Sequence, residues 1–473
     1  MDTLKFGTDG WRDIIGERFT FDNVGRAAQA YADHLKARGQ TLVLVGYDTR
    51  FNGSRFARRV AEVLAANSLD VRLSESYIPT PALSFAVKHY GAGGGVMLTA
   101  SHNPPPYNGF KLKGPYGGTA TQDIYEDVSS RVSSLDSSKV AGFNKTAHSI
   151  QSFDIRKEYY GALAELVDVD TLKSLEVEVV HEAMGGAGTG WLKGFFEHAG
   201  LNLTFSDLHP DPDPMFYGVN PEPIDSNLGA AIAYMKDKTE GVVIATDGDA
   251  DRLGVVLPGG TFFNSHQIFA VLLDRLVSSG HSGEVVKTFT VSRTVERLAK
   301  RRGVSVTETP VGFKYIVDAM LTGDVLIGGE ESGGIGVTGH IPERDGIANS
   351  LLLLEAVAKT GKGLAELFAD IEREVGWQHA YDRLDLHLDG NALKDAVMSR
   401  LDSPVNSIAG RKVESTERLD GVKLNLSGNA WLMFRASGTE PVLRIYCEAA
   451  SPGEVEGILE AAETFTTQVK TEV

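Results

Sequence analysis

In Thr41-Leu42-Val43-Leu44-Val45-Gly46 the apolar run Leu42 to Val45 is unbroken, and Ser54 to Asn67 after it reads as a helix. A short apolar run stopped by glycine predicts a strand buried on both faces. Strand, polar loop and helix in that order predict parallel sheet with helices packed against it. The succession returns at Glu176 to Val180, followed by the Gly-rich Met184 to Gly190 and an amphipathic stretch from Trp191. It returns again at Glu284 to Thr288, with a helical pattern from Arg293 to Arg301. Three related α/β blocks are expected, over residues 1–150, 151–256 and 257–375.

Beyond residue 375 the pattern changes. Asp382 to Leu388, Val422 to Leu426 and Leu443 to Tyr446 alternate apolar and polar residues, as half-buried antiparallel strands do. Gly453 to Val469 reads as a closing helix, so residues 376–473 are expected to form an α+β domain. A chain of 473 residues exceeds what one core supports. With 42% hydrophobic and 23% charged residues the composition is that of a soluble enzyme. The net charge of -17 repels phosphate backbones and argues against nucleic acid as a partner. One cysteine excludes a disulfide framework and a Cys-based zinc site; Cys447 reads as a small core residue. No apolar run approaches the roughly 20 residues of a membrane span, and the N-terminus carries no apolar signal stretch. A cytoplasmic protein without a membrane partner is expected.

Four loops carry the chemistry. In Thr99-Ala100-Ser101-His102-Asn103-Pro104-Pro105-Pro106-Tyr107-Asn108-Gly109-Phe110-Lys111, an apolar strand delivers Ser101 into a loop that three prolines keep out of helix geometry. Ser101, His102 and Lys111 could converge as nucleophile, base and cation; the plainer alternative is a stiff turn with a helix-capping serine. In Asp247-Gly248-Asp249-Ala250-Asp251-Arg252, alternate carboxylates after an apolar strand could wrap one hard divalent cation. Without a cation such crowding is repulsive, and the alternative is a solvated acidic turn. A calcium loop needs Gly and Glu where this chain has Arg252 and Pro258.

Gly328-Gly329-Glu330-Glu331-Ser332-Gly333-Gly334 surrounds two carboxylates and a hydroxyl with glycine, which suits recognition of vicinal sugar hydroxyls. Gly334 to Gly339 formally matches a dinucleotide fingerprint, but His340-Ile341-Pro342-Glu343-Arg344-Asp345 does not open the required helix. Gly361-Lys362 is followed by Gly363, so it is no P-loop. Arg435-Ala436-Ser437-Gly438-Thr439-Glu440-Pro441 offers an arginine fork, two hydroxyls and a free backbone, either a phosphate cradle or an ordinary turn.

Together and in this order, the four loops resemble those of the α-D-phosphohexomutase family of phosphoglucomutases and phosphomannomutases. The resemblance runs from Phe6-Gly7-Thr8-Asp9-Gly10-Trp11-Arg12 to the Arg435 loop. It implies three related α/β domains with mixed sheets and a C-terminal α+β domain around a central cleft. It implies that Ser101 is a phosphoserine, and that Asp247, Asp249 and Asp251 hold Mg²⁺ against it. Glu330 and Ser332 are then expected to bind sugar hydroxyls, with Lys314 a further cation on the substrate. Arg435, Ser437, Gly438 and Thr439 are expected to grip the phosphate that is not reacting. Arg12, His102, Lys111 and Arg252 are expected at the active-site end, Lys111 before His102 as proton-transfer group. These cations would supply the local positive field that the net charge denies.

The implied reaction interconverts hexose 1-phosphate and hexose 6-phosphate through a 1,6-bisphosphate, with glucose 1,6-bisphosphate as activator. Glu330-Glu331-Ser332-Gly333-Gly334 looks like the glucose and mannose branches rather than the amino-sugar branch, where Glu-Gln-Ser-Gly-His is usual. Ala436 stands where many relatives have proline. Phosphoglucosamine mutase is the alternative within the family, and a Mg-dependent sugar-phosphate phosphatase the alternative outside it. The expected partners are small hexose phosphates, the expected state a monomer or homodimer.

Overall fold

The computed structural model describes residues 4–7, 9–142, 150–388, 390–436 and 442–472. Contacts divide the chain into two compact units, Met1–Val286 with Gly312–Leu367, and Lys287–Val311 with Phe368–Val473. Among the described residues no helix is long and apolar enough to cross a membrane.

In the first unit the apolar run forms the strand Leu42–Tyr47, between Asp70–Ser74 and Gly94–Leu98 and parallel to both. The helix Gly53–Ala66 follows it. Val43 and Val45 pack with Val60, Val63 and Leu64 of that helix and with Val24 and Ala28 of the helix Phe21–Ala37. These two valines share one face. On the other, Leu44 is buried and a Cβ on Gly46 would meet Ile78, and Leu83 of the helix Thr80–His89, so both faces are covered, as an uninterrupted apolar strand requires. The second block repeats the plan with Val179–Glu182 parallel to Val242–Thr246. The strand Val179–Glu182 starts three residues later than expected and runs on through His181 and Glu182, whose polar side chains pair with buried Thr246 and half-buried His209.

The parallel strands do not complete the sheets. Gly94–Leu98 turns back antiparallel into Tyr107–Gly114, Val242–Thr246 into Leu253–Leu257, and Val325–Gly329 into Ile335–Val337. The sheets are mixed, and the antiparallel returns present three of the four predicted loops: Ser101, the aspartates, and Glu330.

The second unit holds a six-stranded antiparallel sheet in the order Ala380–His387, Val442–Ala449, Trp431–Ala436, Val422–Leu426, Arg411–Glu417, Ser407–Ile408. The helices Asn391–Arg400 and Pro452–Glu472 contribute Val397, Val455, Ile458 and Ala462 to a core with Leu424, Leu432, Phe434, Ile445 and Cys447. The alternation in Val422–Leu426 predicts one wet face, yet the strand is buried along its length. Its polar side is covered by residues of Lys287–Val311: Lys423 Nζ donates to the carbonyl of Phe289 at 2.9 Å and lies 4.7 Å from the ring centres of Phe289 and Trp431. Burial, with repulsion from Lys287, lowers the Lys423 pKa to about 8. Cys447 is buried, which pushes its thiol pKa up.

Candidate active site

Asp247, Asp249 and Asp251 are all fully buried, and one carboxylate oxygen from each lies within 4.8 Å of the others. Two features fold their loop this tightly. Ala250 takes a left-handed φ of 58°, and Gly248 sits where a Cβ would be 2.5 Å from the carbonyl oxygen of Ser101. Asp247 Oδ1 accepts the backbone N–H groups of Asp251 and Arg252. Thr80 Oγ1 and Lys111 Nζ both donate to Asp249 Oδ2, at 2.5 and 2.8 Å. Burial, then repulsion from Asp249 and Asp251, holds the Asp247 carboxyl well above the usual range. For Asp249 burial pushes the same way, but the Lys111 ammonium outweighs it and the carboxyl stays low.

Asp249 Oδ1 and Asp251 Oδ1 are buried without a hydrogen-bond donor. Bare carboxylate oxygens in a three-aspartate cluster are the donor set of a hard divalent cation, so these residues fit Mg²⁺.

Ser101 is brought to this cluster. It is buried, its Oγ donates to Asp247 Oδ2 at 2.8 Å, and its φ of 52° is left-handed, an unfavourable conformation for serine. It caps no helix, because the next element is the strand Tyr107–Gly114. His102 Nδ1 lies 3.4 Å from Ser101 Oγ, at the long limit of hydrogen bonding. Lys111 Nζ is 2.8, 3.1 and 3.2 Å from Asp249, Asp9 and Asp251. Burial disfavours its charge, yet these carboxylates raise its pKa above the ordinary lysine value. Arg12 donates to Asn103 Oδ1 at 2.8 Å and to Asp9 at 3.3 Å, which ties it to the Ser101 loop.

Arg252 connects the metal and sugar loops. Its backbone bridges to Gly334, and its guanidinium lies 3.6 Å from Glu222 and about as far from Asp251, at 3.9 Å. Glu330 is buried and accepts the N–H of Gly312; burial raises its pKa. Ser332 lies half-buried on the same turn. Lys314 Nζ donates to Gln122 Oε1 at 2.5 Å and lies 4.9 Å from the ring centre of Tyr315. In the second unit Arg435 Nε donates to Asp420 Oδ2 at 2.9 Å, and the same oxygen accepts the N–H of Val311. Ser437, Gly438 and Thr439 lie outside the described residues.

Sequence reasoning missed a tripeptide. Glu343, Arg344 and Asp345 are consecutive, charged and buried. Arg344 pairs with Asp251 at 2.7 Å, Asp9 at 2.9 Å and Glu330 at 3.4 Å, so one side chain joins the metal loop to the sugar loop. Glu343 accepts from Lys113, Ser84 and Thr119. Asp345 accepts from Tyr159 and caps the helix Gly346–Thr360 through the N–H groups of Ile347 and Ala348. No signal in the sequence marks these three charges as buried, because Glu, Arg and Asp are mostly solvated.

Carboxylates, a hydroxyl poised on one of them, and cations threaded between are the parts of a phosphoryl-transfer site. The chain also matches, in order, the four domain profiles of phosphoglucomutase/phosphomannomutase. Alpha/beta/alpha domain I matches residues 3–139, domain II 157–260, domain III 264–375, and the C-terminal domain 398–464. The chain belongs to the phosphoglucomutase/phosphomannomutase family. It is 32% identical over 457 residues to a phosphoglucomutase/phosphomannomutase of Thermococcus kodakarensis, covering 96% of each chain. It is 28% identical over 473 residues to a phosphoglucosamine mutase of Thermobifida fusca, again covering 96% of each. A crystal structure from Thermus thermophilus, provisionally named a phosphomannomutase, shares 44% identity and a TM-score of 0.89, covering 98% of this chain and 99% of that one. This phosphohexomutase is thus an intramolecular phosphotransferase of a family that acts on sugar phosphates.

Proposed function

We propose that this phosphohexomutase interconverts glucose 1-phosphate and glucose 6-phosphate, accepts the mannose phosphates as well, and carries the phosphoryl group on Ser101 between half-reactions. The observation that supports this most directly is the Ser101 hydroxyl donating to Asp247 inside a cluster of buried carboxylates with unmet acceptors. In the first half-reaction the sugar 6-hydroxyl oxygen attacks phosphorus on Ser101, the P–Oγ bond breaks, and the hydroxyl proton is lost as Ser101 Oγ gains one. The second half-reaction runs the same bond changes in reverse at the 1-phosphate of the bisphosphate. Asp247, Asp249, Asp251 and Ser101 would hold Mg²⁺, which when bound offsets charge on the transferring group. Lys111, Arg12 and Arg252 add fixed positive charge beside the loop, with Lys111 the first candidate for proton transfer and His102, whose Nδ1 lies 3.4 Å from Ser101 Oγ, the second.

In this reading Glu330 and Ser332 hold sugar hydroxyls, Lys314 contacts the substrate, and Arg435, Ser437, Gly438 and Thr439 grip the distal phosphate. The preference for glucose and mannose rests on Glu330-Glu331-Ser332-Gly333-Gly334 and on the name of the Thermococcus relative; the name of the Thermobifida relative favours glucosamine. The test is kcat/KM on glucose, mannose and glucosamine 1-phosphates, measured side by side with Mg²⁺ and catalytic glucose 1,6-bisphosphate. The first two sugars are expected to exceed the third by at least tenfold, about 1.4 kcal/mol of transition-state binding. A glucosamine value above both would overturn the sugar assignment. Stoichiometric release of inorganic phosphate would overturn the mutase cycle.

A further inference from the structure

Arg50 does something that neither the family's loops nor the sequence pattern announces. It lies just past the end of the strand Leu42–Tyr47, fully buried beside Asp48 with an ion-pair distance of 3.2 Å. Its guanidinium does not face a substrate surface. Instead, both Nη atoms are spent on one loop: Nη2 donates to the carbonyls of Ser101 at 2.7 Å and Asn103 at 2.6 Å. Nη1 donates to those of Pro104 at 2.9 Å and Tyr107 at 3.0 Å. The guanidinium carbon sits over the Phe216 ring, 4.7 Å from its centre.

Phe216 is itself buried and left-handed, with a φ of 51°, and its ring lies beside Gly248 of the aspartate loop, where a Cβ would be 3.5 Å from Phe216 Cε1; the Gly248 N–H donates to the carbonyl of Pro221. One side chain therefore bridges the loop that holds the hydroxyl and the segment that backs the aspartates. A left-handed serine persists only where its surroundings over-determine it, and here the clamp grips the carbonyl of that very residue.

We propose that Arg50 is a positioning residue for phosphoryl transfer: it holds the strained Ser101 loop in register with the aspartate loop, through carbonyl contacts on one side and Phe216 on the other. The proposal rests on the reading of Ser101 as the phosphorylated residue. A lysine could keep the charge beside Asp48, but a point-like ammonium cannot span four carbonyls or stack on a ring. Misplacement of a reacting atom by an ångström costs on the order of a hundredfold in rate while binding survives.

The experiment compares wild type, Arg50→Lys, Phe216→Leu and Ser101→Ala as full-length chains. Each is incubated with Mg²⁺ and glucose 1,6-bisphosphate, phosphate gain is followed by intact mass, and kcat, KM for glucose 1-phosphate and the urea unfolding midpoint are measured in parallel. Arg50→Lys is expected to keep its midpoint and to hold KM within about threefold, while kcat and the phosphorylation rate fall about a hundredfold. Wild-type rates in that variant, or a loss equal to its unfolded fraction, overturn the proposal. Should Arg50→Lys fail to fold, Phe216→Leu decides, since it leaves Arg50 and Asp48 in place: a fall of about fivefold or more in kcat at constant KM is expected, and an unchanged kcat overturns the clamp. If wild type gains no phosphate, or Ser101→Ala gains as much as wild type, the Ser101 reading fails and the clamp's function fails with it; normal wild-type phosphorylation with equally fast Arg50→Lys removes the clamp alone.

Discussion

Glu448 and Asp247 are both carboxylates without contact with water, and they are built in opposite ways. Around Glu448, in the second unit, donors converge from every side: Ser292 Oγ, the N–H of Arg293, Trp431 Nε1 at 2.6 Å, His379 Nδ1 at 3.0 Å and Trp377 Nε1 at 3.4 Å. Burial alone would favour the neutral acid, but His379 and these hydrogen bonds hold Glu448 ionised far below the usual range. Asp247, in the first unit, also accepts three hydrogen bonds, but its neighbours are two more carboxylates, Asp249 Oδ1 and Asp251 Oδ1 beside it lack donors, and burial with their repulsion disfavours its charge. A buried charge that is fully met locks a fold together. One left unmet weakens the fold and marks where an outside group completes the structure.

The comparison breaks most easily at Ser101. Ser101→Ala should reduce mutase turnover by on the order of 10³-fold or more with an unchanged circular-dichroism melt, and the variant should gain no phosphate by mass. A variant that turns over near the wild-type rate would detach the aspartate cluster from the reaction. Next in size is Asp247→Asn, which should cost on the order of a hundredfold in kcat. Removing one of three repelling charges should at the same time raise the melting temperature of the metal-free protein. Excess chelator should stop the wild type, and Mg²⁺ should raise the melting temperature of wild type more than that of the variant. A lower melting temperature for metal-free Asp247→Asn would show that the cluster is not repulsive.

Glu448→Gln should do the reverse, lowering stability by about 3–5 kcal/mol in urea unfolding while turnover well below the transition stays near wild type. Lost activity without lost stability would make Glu448 part of the site. The smallest effect belongs to Lys423. Its folded pKa, about 8, lies below the unfolded value of 10.5, so between these pH values the unfolded chain binds more protons and stability rises with pH. This one group accounts for up to about 3 kcal/mol across that window, and Lys423→Met should flatten the rise. An equal slope in both proteins would place the ammonium in contact with water.

Much of this was readable in the chain. Leu42 to Gly46 announces its strand because an all-apolar run has one stable use, burial on both faces. The Asp247 loop announces its chemistry because alternate carboxylates after a strand are costly without a cation. Lys423 misled, since alternation records two different faces and is silent on whether the polar one is wet. Arg344, Glu343 and Arg50 were hidden for another reason. Their partners are distant in sequence, and a charge that is buried and paired looks, in one dimension, like a charge that is solvated.

Arg344 and Asp9 lie 335 residues apart in sequence. A ribosome adding about 5–20 residues per second leaves the Asp9 carboxylate waiting roughly 20 to 70 s for that partner. Throughout that interval the N-terminal block can complete its own hydrophobic core, which draws on residues no later than Ile150, while its catalytic face stays hydrated and open. The link from Asp9 to the metal loop through Arg344 therefore waits for residue 344 to emerge, and a nascent chain stalled before that residue would lack it.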